Sequence, residues 1–200
     1  MKRVYLPLAM LFMAWSSQAW AHHALYGRTP VTLLEGFLSG LAHPVIEPLH
    51  FVAVIAVGVL CGLRGKPYSG VAAFVIGGFL ATWATGAAAS GLMLELAVAI
   101  SVFVLGLSVL IQLPAQRFTL VAGLFLIGAV HGAAYAEAIL GAGMVPLVAY
   151  LVGLTLVQGA IASAIAFLAG RLREKQPLRP IAGVILSGVG ALAAVAVLAA

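Results

Sequence analysis

The sequence predicts an all-α polytopic membrane protein with six transmembrane helices after a cleaved signal peptide. Hydrophobic residues make up 64% of the 200 residues, charged residues only 8%, and the mean hydropathy is +1.19. The apolar runs are longer than the core helices of soluble domains and long enough to cross a bilayer. Basic residues lie in short segments between these runs, so we read the formal net charge of +5 as a topology signal. We therefore expect a lipid bilayer around the chain and no nucleic-acid partner.

The N-terminal segment has the pattern of a secretory signal peptide. Lys2 and Arg3 form a basic start, an apolar run follows, and Ala19-Trp20-Ala21 is a small-x-small cleavage pattern. We predict that residues 1–21 are removed by cleavage after Ala21. The mature chain is then a six-helix transmembrane domain of residues 22–200. An uncleaved anchor is the alternative.

The rest of the chain divides into six apolar spans, which glycine and proline residues separate. The predicted spans are Val31–Leu63, Ser69–Ala87, Leu92–Leu113, Phe118–Leu140, Val145–Leu172 and Pro180–Leu198. We expect the first span to be broken near Pro44 and Pro48, because a proline inside a helix removes a backbone hydrogen bond.

The distribution of basic residues predicts the orientation. With the mature N terminus outside, the inner loops contain seven basic residues: Arg64, Lys66, Arg117, Arg171, Arg173, Lys175 and Arg179. The outer segments contain only Arg28. Cytoplasmic loops carry an excess of Lys and Arg. We therefore predict a multi-pass protein of the bacterial inner (plasma) membrane, with both mature termini in the periplasm.

Two histidines and a glutamate lie inside the first span. An ionisable residue within a membrane span is costly to place there and indicates a functional site by default. His43, Glu47 and His50 stand at i, i+4 and i+7, so they would share one face of a continuous helix. Imidazole and carboxylate groups are ligands for divalent transition metals. The alternative is a kinked helix with polar residues at the membrane surface.

Further polar side chains lie in the fourth and fifth spans. His131 and Tyr135 are four residues apart, Glu137 follows in the outer half of the same span, and Gln158 lies midway along the fifth. Tyr135 could pack or ligate, and Gln158 could instead hydrogen-bond a neighbouring helix. The predicted metal-binding residues are His43, Glu47, His50, His131, Glu137, Tyr135, Gln158 and, at the mature N terminus, His22 and His23. They extend from the bilayer centre outward, which predicts a cavity open to the periplasm.

Three other residues have simpler interpretations. Glu35 and Glu95 stand at the starts of spans, where a helix N terminus favours a carboxylate. Cys61 is the only cysteine, so no intrachain disulfide can form, and we interpret it as a small buried hydrophobic residue.

A short pattern occurs twice and suggests an internal repeat. Phe37–His43 and Phe125–His131 both read F-L-x-G-x-x-H, once in the first span and once in the fourth. The halves would then have three spans each and be inverted, as in transporters that bind their substrate near the membrane midplane. We expect the pattern's glycines, Gly40 and Gly128, to lie at a close contact between spans one and four.

These features together resemble the HupE/UreJ family, over essentially the whole chain. In the family's first-span motif, H-P-x-x-G-x-D-H, the residues His43, Pro44 and His50 match. Glu47 and Leu49 stand where the family has Gly and Asp.

The fourth span carries a motif like H-G-x-x-H-x-x-E. His131 and Gly132 match it, Tyr135 stands in place of the second His, and Glu137 stands one residue before the position of the family's Glu. A His that is usual in the family's fifth span is absent, with Gln158 nearby.

The resemblance implies a function in metal handling. Proteins of this family accompany hydrogenase and urease systems and are regarded as nickel, or nickel/cobalt, permeases. For this chain it implies a transported or bound divalent metal ion, nickel or cobalt, with copper or zinc compatible with the same ligands. It also implies a periplasmic metallochaperone or metalloenzyme as a client, and we expect no tightly bound cofactor.

We therefore expect a permease for a divalent transition metal and no enzymatic activity. One alternative is an accessory membrane subunit that binds metal without transporting it. The other is an intramembrane zinc-dependent hydrolase, which the sequence disfavours because it contains neither an H-E-x-x-H motif nor any Asp.

Overall fold

The computed structural model describes residues 28–65, 67–85, 91–111, 116–173 and 178–199, and all regular structure within these ranges is helical. A 3-10 turn, Ala136–Ile139, follows the fifth α-helix. The α-helices are α1 (Leu33–Ile46), α2 (Pro48–Leu63), α3 (Pro67–Thr85), α4 (Leu92–Ile111), α5 (Arg117–Tyr135), α6 (Met144–Arg171) and α7 (Leu178–Ala199).

These helices make the chain a multi-pass membrane protein. In the described ranges α3 to α7 give five candidate membrane spans, and the bent pair of α1 and α2 passes the same test as a sixth. The all-α class and the approximate limits of the predicted spans are confirmed.

Several predictions concern residues outside the described ranges. They are the signal peptide of residues 1–21, the N-terminal histidines His22 and His23, and the loop residues Lys66 and Lys175. Cleavage after Ala21 and metal capture at the mature N terminus stay predictions.

The first span is broken at Glu47, where α1 and α2 meet at an angle of 78°. Glu47 has an extended backbone (φ −88°, ψ 110°), and Pro48 takes the first position of α2, where a missing N–H is tolerated. Pro44 lies inside α1, which continues to Ile46. The predicted break near Pro44 and Pro48 is therefore confirmed, and it lies at Glu47, between the two prolines. The expectation that His43 and Glu47 share the face of one continuous helix with the next histidine is wrong.

Helix α6 supports both halves of this broken span. Gly40 of α1 lies against the backbone of Tyr150, and Gly62 of α2 lies against the backbone of Ala166. The contact thus advances along α6 as the chain advances from α1 to α2. With 28 residues, α6 is about 42 Å long at a rise of about 1.5 Å per residue. The two helices therefore follow α6 in one direction, as the halves of a single crossing would.

Helices α3 and α5 also pack closely through glycines. A Cβ atom at Gly128 would overlap the carbonyl of Phe74, and one at Gly132 would overlap the carbonyl of Gly78. The order of these contacts makes α3 and α5 parallel. Small residues permit such an approach, which favours helix association in a membrane.

Helices α4 and α7 form a third close pair, in which the two helices run in opposite directions. A Cβ atom at Gly106 would overlap the backbone of Ser187, and one at Gly190 would overlap the backbone of Phe103. The chain order of the two contacts is reversed, so these helices are antiparallel.

The glycines of the repeated pattern lie at close contacts, but not at the predicted one. Gly40 faces α6 and Gly128 faces α3, while neither α1 nor α2 has α5 among its main neighbours. The predicted backbone contact between spans one and four is therefore wrong. A glycine pattern indicates that some helix comes close, and it carries no information about which helix does.

The ends of the bundle show which connections lie on the same side. The hydroxyl of Thr29 donates a hydrogen bond to the carbonyl of Leu140 at 3.1 Å, which joins the start of the first span to the α5–α6 connection. At the opposite end, Gly65, whose φ is +66°, lies beside Arg173. This is the arrangement that alternating crossings require.

Glu35 caps the first helix, as its position near the start of the span predicts. Its amide donates to the hydroxyl of Thr32 at 3.2 Å, and its carboxylate accepts from the amides of Val31 and Thr32 at 2.9 and 3.0 Å. This reciprocal capping box satisfies amides that have no partner within the helix.

Candidate functional site

The break in the first span places two imidazoles in the interior of the bundle. His43 lies in the last turn of α1 and His50 in the first turn of α2, and their exposed fractions are 4% and 6%. Their ring centroids are 5.7 Å apart. The bend, and not a shared helical face, brings the two histidines together.

His131 of α5 adds a third imidazole to this cluster. It is fully buried, and its Nδ1 lies 2.7 Å from Nδ1 of His50. The motifs of the first and fourth spans therefore meet directly through side chains. The contact is made by His50, with His43 beside it, and not by the two histidines of the repeated pattern.

Ser101 of α4 contacts the other side of His131. Its Oγ lies 2.9 Å from Nε2 of His131, and its hydroxyl also lies 2.7 Å from the carbonyl of Val98. Ser101 is itself buried. Helices α2, α5 and α4 are thus joined through one chain of polar contacts in the bundle interior.

Two fully buried tyrosines complete the cluster. The Tyr135 ring lies 4.3 Å from His50 and 5.3 Å from His43 between centroids, and the Tyr150 ring lies 6.2 Å from His43. The hydroxyl of Tyr150 donates to the carbonyl of Tyr135 at 3.1 Å. By contrast, the hydroxyl of Tyr135 has no hydrogen-bond partner among the described residues. A buried polar group in this state marks a place where a water molecule or a ligand can be accommodated.

Glu47 brings a carboxylate to the same region. It is half-buried at the break between α1 and α2, and its charge lies within electrostatic range of Tyr135. The cluster therefore combines imidazole, phenol and carboxylate groups, contributed by both halves of the chain.

The remaining predicted residues lie elsewhere. Gln158 is buried on α6, its side-chain oxygen faces Gly78 of α3, and its amide nitrogen has no hydrogen-bond partner among the described residues. Glu137 is exposed in the 3-10 turn after α5, and Glu95 is exposed in the first turn of α4. The structure thus groups His43, Glu47, His50, His131 and Tyr135 and leaves Glu137 at the surface.

As the side chains stand, the described residues contain no group of three His, Cys, Asp or Glu arranged to hold a metal ion. The donor types nevertheless suit a divalent transition metal, since such ions accept imidazole nitrogen and carboxylate oxygen. The Tyr135 hydroxyl adds an oxygen in the same region. Side-chain rotation would be needed for these donors to converge on one ion.

Several residues around the cluster were not predicted from the sequence. Ser101 contacts His131, and the ring of Phe74 lies 5.9 Å from His131 between centroids. The Thr82 hydroxyl bridges the carbonyls of Gly78 and Gly132 at 2.8 and 2.9 Å, which links α3 to α5 next to His131. A hydroxyl in an apolar span was the only available signal for Ser101 and Thr82, and other serines and threonines in the chain share it.

The fold and this cluster define a class: a polytopic helical membrane protein with imidazoles buried at a broken span. The chain matches the family model described as HupE / UreJ protein over residues 9–193, nearly its whole length. It therefore belongs to the HupE / UreJ family, as the sequence motifs indicated. This family is associated with nickel or cobalt uptake or with accessory roles. Among curated proteins and solved structures, none matches the chain significantly.

Proposed function

We propose that this protein is a permease for a divalent transition metal ion, nickel or cobalt, which it captures from the periplasm at the broken first span. The observation that carries the proposal is the buried contact between His50 and His131, with His43 and Glu47 beside it. Imidazoles in the interior of a membrane bundle are costly to place there without a function. Membership of a family associated with nickel or cobalt uptake supports nickel or cobalt as the ion.

The donor set suits transport of an ion better than its permanent retention. A transport site must bind well enough to capture the ion and weakly enough to release it. Mixed nitrogen and oxygen donors around a helix break meet both needs, although the general affinity order would favour copper among competing ions. Inward movement of a cation is favoured by roughly 2.3 kcal/mol per charge for each 100 mV of membrane potential, negative inside.

We further propose that the chain consists of two inverted halves of three spans each. The support comes from the register of the helix contacts: Gly40 packs on Tyr150, and Gly128, its equivalent in the repeated pattern, packs on Phe74. Three residues after each of these aromatic residues, Gly153 meets the carbonyl of Phe37 and Gly77 meets that of Phe125. Spans one and five therefore pack in the same register as spans four and two.

The third spans of the two halves support the same symmetry. Gly106 packs on Ser187 while Gly190 packs on Phe103, which is the reciprocal pattern of a two-fold contact. The aromatic contacts of the histidines fit the same symmetry. Between ring centroids, Tyr150 lies 6.2 Å from His43 and Phe74 lies 5.9 Å from His131. The cluster would then lie between the halves, where inverted-repeat transporters bind their substrate.

The proposed orientation places the start of α1 and both mature termini in the periplasm, with the protein in the inner membrane. The basic residues at the described ends of the helices support it: Arg64, Arg117, Arg171 and Arg173 would all face the cytoplasm. A cavity from the periplasm to the cluster would then run along the outer half of the bundle.

An accessory subunit that binds metal without transporting it is the second candidate. It is favoured by the lack, within the described residues, of three metal-binding side chains already arranged around one point. An intramembrane hydrolase has no comparable support, because this is a membrane accessory and transport family rather than a known family of enzymes. We propose that the protein has no enzymatic activity.

Nickel uptake into proteoliposomes tests the proposal. The wild-type protein should load vesicles that contain a nickel-sensitive dye, and His43→Ala and His50→Ala should abolish loading. Glu47→Gln should reduce it strongly, because it removes the carboxylate at the break. Glu95→Gln, which changes an exposed carboxylate in the first turn of α4, is the matched control and should transport normally.

Unchanged uptake in His43→Ala, His50→Ala and Glu47→Gln would show that the motif is a kinked helix without a transport role. Binding of nickel by wild-type protein without any uptake would favour the accessory subunit. Monodisperse elution of each variant in detergent shows that a loss of uptake is not a loss of folding.

A further inference from the structure

Four arginines lie at the end of the bundle opposite to the start of α1. We call them the basic rim: Arg64 at the end of α2, Arg171 and Arg173 at the end of α6, and Arg179 in the first turn of α7. A Cβ atom at Gly65 would lie 2.9 Å from Nη1 of Arg173, so the end of α2 meets the end of α6. Arg179 follows Arg173 by six residues, which span at most about 20 Å. Three helices therefore bring guanidinium groups to one end of the molecule.

Arg179 has a buried nitrogen without a partner. Its side chain is half-buried, and its Nε has no hydrogen-bond partner among the described residues. A buried N–H of a charged group that lacks an acceptor costs free energy. A guanidinium presents five N–H donors in a planar fork, which matches the oxygens of a phosphate or a carboxylate. The start of α7 therefore provides a donor group that is suited to an anionic acceptor.

The carboxylates of the described ranges lie away from the basic rim. Glu35 begins α1 and Glu137 lies in the 3-10 turn after α5, at the opposite end of the bundle. Glu95 begins α4, which is antiparallel to α7, so it also lies far from the start of α7. Glu47 lies at the break in the first span. In the sequence, one acidic residue, Glu174, accompanies the seven basic residues of the inner segments, so most of their charge has no counterion from the chain at this end.

Arg171 lies where the basic rim meets the lipid-facing surface. Its Cζ lies 4.7 Å from the ring centroid of Phe167, which is 52% exposed. Exposed apolar side chains on a membrane-spanning helix face lipid, and a guanidinium stacked over such a ring lies at the level of the headgroups. A phospholipid could contact both surfaces, with its phosphate at the arginine and an acyl chain along the ring. A soluble anion could contact only the arginine.

We propose that the basic rim binds the phosphate of an anionic phospholipid, with an acyl chain along the exposed face of α6 at Phe167. The phosphate accepts hydrogen bonds from Arg179 and neutralises the positive charge of Arg64 and Arg173. Basic pockets between transmembrane helices on the cytoplasmic side bind such headgroups. The bound lipid joins α2, α6 and α7, which end or begin at the basic rim. This site is separate from the histidine cluster, and the proposal does not depend on metal transport.

Thermal unfolding of the full-length protein in detergent tests the chemical class of the ligand. Phosphatidylglycerol should raise the melting temperature, because a ligand of the folded state stabilises it. The same amount of phosphatidylcholine, whose headgroup is zwitterionic, should raise it much less, and inorganic phosphate should have no effect. An equal rise with phosphatidylcholine would show that the headgroup charge is not recognised. An equal rise with inorganic phosphate would show a site for free anions, and either result would overturn the proposal.

Arginine variants test the location of the site, with phosphatidylglycerol affinity measured by native mass spectrometry. Arg179→Gln should weaken binding about tenfold or more, because hydrogen bonds between charged groups are lost. Arg179→Lys, which keeps the charge without the planar fork, should lie between this variant and the wild type. Arg117→Gln is the matched control, because Arg117 is exposed on α5, which has neither α6 nor α7 among its main neighbours. Unchanged binding in Arg179→Gln, or equal losses in Arg179→Gln and Arg117→Gln, would contradict the proposal.

The stability of Arg179→Gln without lipid separates a lipid site from an ion pair within the chain. Because the Nε of Arg179 has no partner among the described residues, the variant in detergent alone should melt at the temperature of the wild type or above it. A lower melting temperature would show that the chain itself pairs Arg179, and would overturn the proposal. Glu174→Gln removes the one acidic residue of the inner segments and should strengthen phosphatidylglycerol binding. Weaker binding in this variant would contradict the proposal.

Discussion

At the scale of single residues, the interior of this bundle is organised by neutral polar groups. His131, Tyr135 and Tyr150 are fully buried, and each belongs to the cluster at the broken span. Hydrogen bonds offset the burial of most of these groups, but the hydroxyl of Tyr135 has no such bond among the described residues. The two tyrosines therefore differ in what their hydroxyl groups contribute to stability.

The same substitution in these tyrosines should have opposite effects. Tyr150→Phe removes the hydrogen bond to the carbonyl of Tyr135 and should lower the free energy of unfolding by about 1 kcal/mol. Tyr135→Phe removes an unsatisfied buried hydroxyl, so it should leave stability unchanged or raise it by up to roughly 3 kcal/mol. Thermal unfolding in detergent measures both. An equal loss of stability in the two variants would show that a water molecule or an ion satisfies Tyr135.

At the scale of helices, close contacts through glycine determine which segments pair. The broken first span packs along α6, α5 packs along α3, and α7 packs along α4. In each pair a glycine lies against the backbone of the partner helix. Because lipid tails are as apolar as the side chains, van der Waals packing and not water exclusion drives this association. The contacts also stabilise the 78° bend, since both halves of the broken span are supported by α6.

Glycines on the same helix should differ sharply in their tolerance of alanine. Gly128→Ala in α5 and Gly153→Ala in α6 place a methyl group into the backbone of the neighbouring helix and should cost about 1–3 kcal/mol or more. Gly123→Ala in α5 and Gly159→Ala in α6 meet no atom within 4 Å and should be neutral or stabilising by up to roughly 1 kcal/mol. Melting temperatures in detergent compare each pair. If Gly128→Ala and Gly123→Ala have the same melting temperature, the packing of α5 on α3 is looser than described.

At the scale of the whole molecule, the three helix pairs support a two-fold arrangement with the polar cluster between the halves. In such an arrangement the contacts of spans one and five repeat those of spans four and two. Transport would follow from movement of one half against the other around the cluster. The membrane orientation then decides which side of the bundle captures the ion.

Topology mapping tests this orientation. A reporter fused after Ala200 should be active in the periplasm, because in the proposed topology six crossings would return the chain to the side of the mature N terminus and the basic loops would face inward. A fusion in the loop after Arg64 should be active only in the cytoplasm and serves as the internal control. Cytoplasmic activity of the C-terminal fusion would contradict the proposed orientation and, with it, capture of the ion from the periplasm.

The sequence by itself determined the class of the protein, the approximate limits of its helices, the break at Pro48 and the family. These depend on local properties, namely hydropathy over a window, proline without an N–H, and motif spacing. It also identified the histidines, because an ionisable side chain stands out in an apolar span.

Only the tertiary structure decided which histidines meet, which helices pair and where Glu137 lies. The spacing of His43, Glu47 and His50 suggested one helical face, whereas a 78° bend between two helices brings the histidines together. Ser101 had no distinguishing signal, because its role comes from a contact with another helix. In a chain this apolar, the lipid-facing and core-facing sides of the helices are both mainly hydrophobic, so hydropathy alone cannot show which helix face is buried. Packing between distant segments makes that choice, and with it the composition of the site.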